Sequence, residues 1–341
     1  MPQEKKISRR QCVMDAVRHR QTPYIPHNID LVDDYKALLE KELHIGPDRV
    51  DEYMGNHIQK CDLFDGGYVS PGIYQDEYGV IWDRTGLDTD VGIIQNTVLP
   101  EPELSGFRFP GIDEEKIRNK CKAMLNDGKD CFKFAKLGAM LFERAWSLTG
   151  FENFLMYLVS EEEFAEELLE GIAERNAKII DIALEYDFDG VYFGDDYGQQ
   201  RGLLMNPALW RKLVKPRLRK LFEKVKVRGK YVALHSCGNI SSILPDLCEI
   251  GLDIYQTVQP EIYDLGSLKQ EYGKDLSFYG TISVQSDLPF KKPDEIRDII
   301  RRTGMIMGKG GGFIAAPTHR IRVDTPVENF MAMVEAFNEN R

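Results

Sequence analysis

Apolar positions along this chain switch repeatedly between the period of a helix and that of a strand. From 161 to 186 they fall at Phe164, Leu168, Ile172, Ile179 and Ala183, helical spacing opened by the capping-box pattern Ser160-Glu161-Glu162-Glu163. The aromatic and β-branched run GVYFGDD then predicts a strand, and Asn206-Pro207 reads as an N-cap with proline at the first helical position, leading a helix to about Arg228. The unit repeats as YVALHS with a helix at 240–250, LDIYQTV with a helix at 265–272, and LSFYGTI with a helix at 293–307. GFIAAP and a terminal helix opened by Thr325-Pro326-Val327-Glu328 complete the series. Upstream, strands are expected at 24–29, 57–63 and 131–136, each followed by a helical stretch.

Eight strand-helix units imply an α/β protein with parallel strands and right-handed crossovers, and a count of eight points to a single (β/α)8 TIM barrel, with an open doubly wound sheet as the alternative. Residues 67–110 interrupt the alternation: YQDEYGVIWDR and VGIIQNTVL read as a β-hairpin inserted after strand 2 of one domain spanning 1–341. Tyr74, Tyr78 and Trp82 would pack that insertion onto the rest.

Charge removes one class of partner. Lys plus Arg number 44 against 55 Asp plus Glu, a formal net charge of −11, and no basic stripe is interleaved with aromatics, so nucleic acid is not expected to bind. No apolar run reaches a membrane span, and MPQEKKISRR lacks the features of a secretory signal, so a cytoplasmic protein off the membrane is expected. The six cysteines form no CxxC pair and are expected to be reduced.

In a barrel, chemistry sits at the C-terminal ends of the strands. The polar residues there are His27, Asn28 and Asp30 after the first strand, Asp195 and Asp196 after the fourth, His235 and Cys237 after the fifth, Gln256 and Gln259 after the sixth, and His319 after the eighth. His235-Ser236-Cys237-Gly238 is the most specific of these: residues i and i+2 of an extended segment point to one side, which would project an imidazole and a thiol together. Both are good Zn²⁺ ligands, and His319 could supply a third while leaving a position open. Ordinary loop residues would also satisfy so short a pattern. Asp195-Asp196 could contact substrate or metal, or cap a turn. Gly308-Lys309-Gly310-Gly311-Gly312 leads into a strand and not a helix N-terminus, and reads as a turn.

The stretches HSCGN, LPDLCEIGLDIYQTVQPE, LSFYGTI and GGGFIAAPTHRIRVDTPVENFMAMVEAF resemble the uroporphyrinogen decarboxylase superfamily, and within it the corrinoid-dependent methyltransferases. SRRQCVMDAVRHRQTPYIP and GDDYGQQRGLLMNPALWRKLVKPRLRKLF extend the likeness over essentially the whole chain. The decarboxylase branch has an arginine-rich segment early in the chain, where this one has HNIDLVDDYKALL. The resemblance implies a zinc site in which His235 and Cys237 match two ligands, and Pro317-Thr318-His319 stands where thiol-methylating members have Pro-Gly-Cys. One thiolate and two imidazoles leave Zn²⁺ with net charge +1, a Lewis acid suited to an ether oxygen. That implies O-demethylation of a methoxylated, aromatic methyl donor, with the methyl passing to cob(I)alamin on a separate corrinoid protein, since the chain has no DxHxxG-like corrinoid motif of its own. Asp195 or Asp196 would orient the substrate, Glu143 would add a ligand or handle a proton, and His27, Asn28, Gln256 and Gln259 would line the substrate site. Thiol methylation, porphyrinogen decarboxylation and a non-enzymatic binding barrel are the competing readings, and pairing as a homodimer is compatible with each.

Overall fold

The computed structural model describes residues 7–86 and 90–339. Seven strands followed by helices run through them: β1 (Ile58–Asp62), β2 (Phe132–Leu137), β3 (Gly190–Gly194), β4 (Tyr231–His235), β5 (Ile254–Val258), β6 (Ser277–Ile282) and β7 (Phe313–Pro317). The chain divides into two compact units, the first made of Met1–Gln59, Gly128–Lys133 and Asp253–Arg341, the second of Lys60–Asp127 and Phe134–Leu252.

In the first unit β5, β6 and β7 lie side by side and parallel. The strand expected at 24–29 is reduced to one isolated bridge, His27 to Ala315, with a second just beyond it, Leu31 to Ile321. Pro26 accounts for part of this, because it removes a donor from within a segment of only six residues, and Pro23 stands immediately before that segment. The backbone still joins β7 through Ala315 N to Pro26 O at 2.9 Å and Asn28 N to Ala315 O at 3.0 Å. The glycine-rich segment is the expected turn, with Gly310, Gly311 and Gly312 at φ +75°, +80° and +68°.

In the second unit β1, β2, β3 and β4 are neighbours in that order. Phe193 packs on Phe222 of the helix Lys215–Lys226, ring centroids 5.1 Å apart, so odd positions of β3 face the helices. Tyr192 and Gly194, with their register partners Ala233 and His235, face the other side. Where a hairpin was expected, residues 66–94 form four antiparallel strands, Gly66–Ser70, Ile73–Asp76, Ile81–Asp83 and Ile93–Ile94. Buried Asp76 anchors them, accepting from Arg144 at 2.5 Å and Trp82 Nε1 at 3.1 Å, while Arg144 and Arg175 lie over the Tyr78 ring at 4.4 and 5.0 Å.

Candidate metal centre

β3 and β4 end side by side. Their register pairs His235 with Gly194, and Asp195 N donates to His235 O at 3.0 Å, so the turns that follow leave the sheet together. The turns also pack backbone on backbone. A Cβ on Gly238, which sits at φ +78°, would come within 2.2 Å of the Gly198 carbonyl carbon, and a Cβ on Gly198 within 2.8 Å of the Cys237 oxygen. Tyr197 N donates to Ser236 Oγ at 2.9 Å and Asn239 N to Gln199 O at 2.8 Å, tying one turn to the other.

This scaffold gathers three donors. His235 Nε2 stands 3.4 Å from Cys237 Sγ and 3.5 Å from Asp196 Oδ1, and one ligand atom from each residue lies within 4.8 Å of the others. Cys237 N donates to Asp196 Oδ1 at 2.7 Å, which orients the carboxylate. Tetrahedral zinc with bonds of about 2.0 Å to N and O and 2.3 Å to S requires N to S and N to O separations of about 3.6 and 3.3 Å. The donor set therefore fits zinc. Among the described residues this is the group of three or more His, Cys, Asp or Glu side chains spaced to hold an ion.

Asp195 and Asp196 part company at the strand end. Asp195 is fully buried and accepts from the backbone of Phe142 at 2.9 Å and of Glu143 at 2.8 Å, capping the helix Phe142–Thr149. Burial pushes its carboxyl up to about 6 against the pull of those hydrogen bonds. Burial, then the charges of Asp196 and Asp195, push Glu143 well above the ordinary carboxylate range, while the Asp196 amide donates to its carboxylate. The Cys237 thiol is likewise pushed well up by burial, then by Asp196 and Glu143. Thiol and acids thus penalise one another's charge, and a divalent cation would relieve that conflict.

The remaining sequence candidates lie in the first unit. His319 follows β7 and is half-buried; its neighbour Thr318 accepts from Val284 N at 3.2 Å. His27 is fully buried, its Nε2 2.8 Å from Met54 O and its ring stacked on Phe337 at 4.8 Å. Asn28 is buried and donates to Asp30 Oδ1 at 3.2 Å. Gln256 lies buried on β5 opposite Tyr279, and the carbonyl of buried Gln259 accepts from Ile262 and Tyr263. Sequence reasoning named Asp195-Asp196 as a substrate or metal contact without separating the two, and missed the grouping of Asp196 alone with His235 and Cys237 and the glycine pair that holds their turns together. The acid pair at the end of β3 was the available signal.

Fold and site together define a parallel α/β protein carrying a thiol, imidazole and carboxylate set at its strand ends. Residues 139–340 match the family described as Uroporphyrinogen decarboxylase (URO-D), and the chain belongs to that family. It is 26% identical over 195 residues, 57% of this chain and 55% of the relative, to the Methylcobamide:CoM methyltransferase MtaA of Methanosarcina barkeri. It is 22% identical over 202 residues, 58% of this chain and 51% of the relative, to the Methylated-thiol--coenzyme M methyltransferase of Methanosarcina mazei. The chain spans about half the length of these curated relatives. A solved methyltransferase from Methanosarcina mazei shares the fold with a TM-score of 0.74 at 19% identity, over 98% of this chain and 99% of the other. Among the described residues no helix is long and apolar enough to cross a membrane.

Proposed function

We propose that this chain is a zinc-dependent methyltransferase that moves a methyl group between a small molecule and the cobalamin of a separate corrinoid protein. The observation that carries the reading is the convergence of Asp196, His235 and Cys237 at the ends of β3 and β4 in a chain of this family. When bound there, zinc would supply a Lewis acid that holds a substrate sulfur as thiolate or stabilises a departing oxyanion. The chain's own contribution is to fix the donors. Bonds from Tyr197 N to Ser236 Oγ and from Asn239 N to Gln199 O hold the two turns, the Cys237 amide orients Asp196, and Glu143 is the group on hand to hold the proton a thiol gives up.

Charge decides between substrates. With Asp196 as third donor, two negative ligands offset the metal's charge and the centre is neutral, which preserves the nucleophilicity of a thiolate better than it activates an ether. Thiol methylation is therefore the reading we favour, and the names of both curated relatives support it. The methoxylated aromatic donor is the second reading. It rests on His319 at the place where thiol-methylating members have cysteine, and it requires that histidine in place of Asp196.

Zinc analysis of purified protein, followed by transfer assays between methylcobalamin or cob(I)alamin and a panel of thiols and methoxylated aromatics, tests both. Stoichiometric zinc with methylated thiol as product is expected. Zinc-free protein, or demethylation of ethers with no action on thiols, would overturn the favoured reading.

A further inference from the structure

The pair Asp195 and Glu143 makes a bond pattern beyond the donors themselves. Glu143 N donates to Asp195 Oδ1 at 2.8 Å across 52 residues of sequence, and in return the Asp196 amide donates to the Glu143 carboxylate. A capping box exchanges side-chain-to-backbone bonds in the same reciprocal way within one helix end. Here the exchange joins the helix Phe142–Thr149 to the end of β3. That helix has no cap of its own: Leu141, at φ −131° and ψ −81°, offers no side-chain acceptor, and the first amides would be orphaned without Asp195.

We propose that Asp195 and Glu143 form a reciprocal brace that holds Asp196 in place as a metal donor. Asp195 cannot touch a ligand, because its side chain is fully buried and both oxygens are occupied by amides. It is a positioning residue. Asp196 is restrained on three sides: its amide is bound by Glu143, the preceding amide is bound by His235 O, and its own Oδ1 is bound by the Cys237 amide. A carboxylate on an unrestrained turn would lose rotamer entropy on binding an ion, and the brace removes that cost in advance. Partners one step out from a metal typically change affinity about 10–100-fold.

This inference rests on the metal reading above, and its test separates the two. Zinc affinity would be measured by competition with a chromophoric chelator for wild type, Asp195→Ala, Asp195→Asn, Glu143→Ala and Glu143→Gln. Amide hydrogen exchange of the zinc-free proteins would be followed at Phe142, Glu143 and Asp196. The alanine variants should bind zinc about 10–100-fold more weakly and lose protection at those amides. Glu143→Gln should keep protection at the Asp196 amide, because its carbonyl oxygen accepts the same N–H, and Asp195→Asn should fall between wild type and alanine in both readouts. If Glu143→Gln is as damaging as Glu143→Ala while the Asp196 amide stays protected, the charge of Glu143 acts on the metal directly and the brace is refuted. Wild type that binds no zinc defeats the metal reading instead. Exchange then decides the brace alone: faster exchange at Asp196 in Glu143→Ala supports it, and unchanged exchange overturns it.

Discussion

Replacing Asp195 by asparagine should make the zinc-free protein more stable at neutral pH. The carboxyl is fully buried, and its folded pKa of about 6 stands above the ordinary 3.8. The sign follows directly. Between those values the folded chain keeps a proton that the unfolded chain has lost, so stability falls as pH rises through the window and stays low above it. At 1.36 kcal/mol per tenfold, the difference amounts to about 3 kcal/mol by pH 7.5. Asparagine cannot ionise but keeps only one of the two acceptors that Phe142 and Glu143 use, so it should lie about 1–2 kcal/mol below wild type near pH 4 and gain on it by about 3 kcal/mol as pH rises to 7.5. Relief of the charge that raises Glu143 acts in the same direction. Urea midpoints of both proteins at half-unit steps from pH 4 to 8 would show the curves crossing and the variant ending above wild type. A variant less stable than wild type at pH 7.5 would refute the reasoning, because the bonds to Phe142 and Glu143 would then outweigh the cost of burying the charge.

Three further outcomes follow from the same geometry. Because the Cys237 thiol is pushed well above its ordinary value in the metal-free state, zinc must displace its proton, and the apparent affinity should rise about tenfold per pH unit from 6 to 8; Cys237→Ser should abolish that slope together with most of the affinity, read by chelator competition. Gly238→Ala forces a side chain into a left-handed backbone position and against the Gly198 carbonyl, so it should cost at least about 2 kcal/mol and release zinc, whereas Gly229→Ala, with open space around it, should cost only about 1 kcal/mol; denaturation midpoints and metal content check both. Arg144→Met leaves Asp76 buried without its cation and should destabilise by about 3–5 kcal/mol, with Arg144→Met/Asp76→Leu recovering part of the loss in a double-mutant cycle.

The alternation of periods made the second half of the chain readable. The helices Leu265–Tyr272 and Pro293–Met307 begin and end at the residues expected from sequence, and Asn206 caps its helix through the Ala208 amide at 2.8 Å. Two capping boxes read from sequence do not form. Ser160 is the last residue of the helix Phe151–Ser160 and donates to Met156 O, so it cannot cap the next helix, and the terminal helix is preceded by Pro326 with no side-chain cap. In both cases the helix forms close to where it was expected, without the side-chain cap. A preceding helix that runs to the boundary residue, or a proline fixing φ there, takes the cap position away.

At the candidate metal centre the missing information was register. Period two puts His235 and Cys237 on one side of β4 and its continuation, and that much is local. The same rule separates Asp195 from Asp196, since neighbours on an extended segment face opposite ways, yet it does not say which of them joins the histidine. Pairing His235 with Gly194 decides it: Asp196, two residues beyond Gly194, falls on the side of His235 and level with Cys237, while Asp195 turns toward the helix layer and finds the amides of Phe142 and Glu143. A shift of one residue between β3 and β4 would exchange the two roles. It would bring Asp195 to the donors and leave the helix uncapped, so the bonds that cap the helix and the donors that could hold a metal are selected by the same strand pairing.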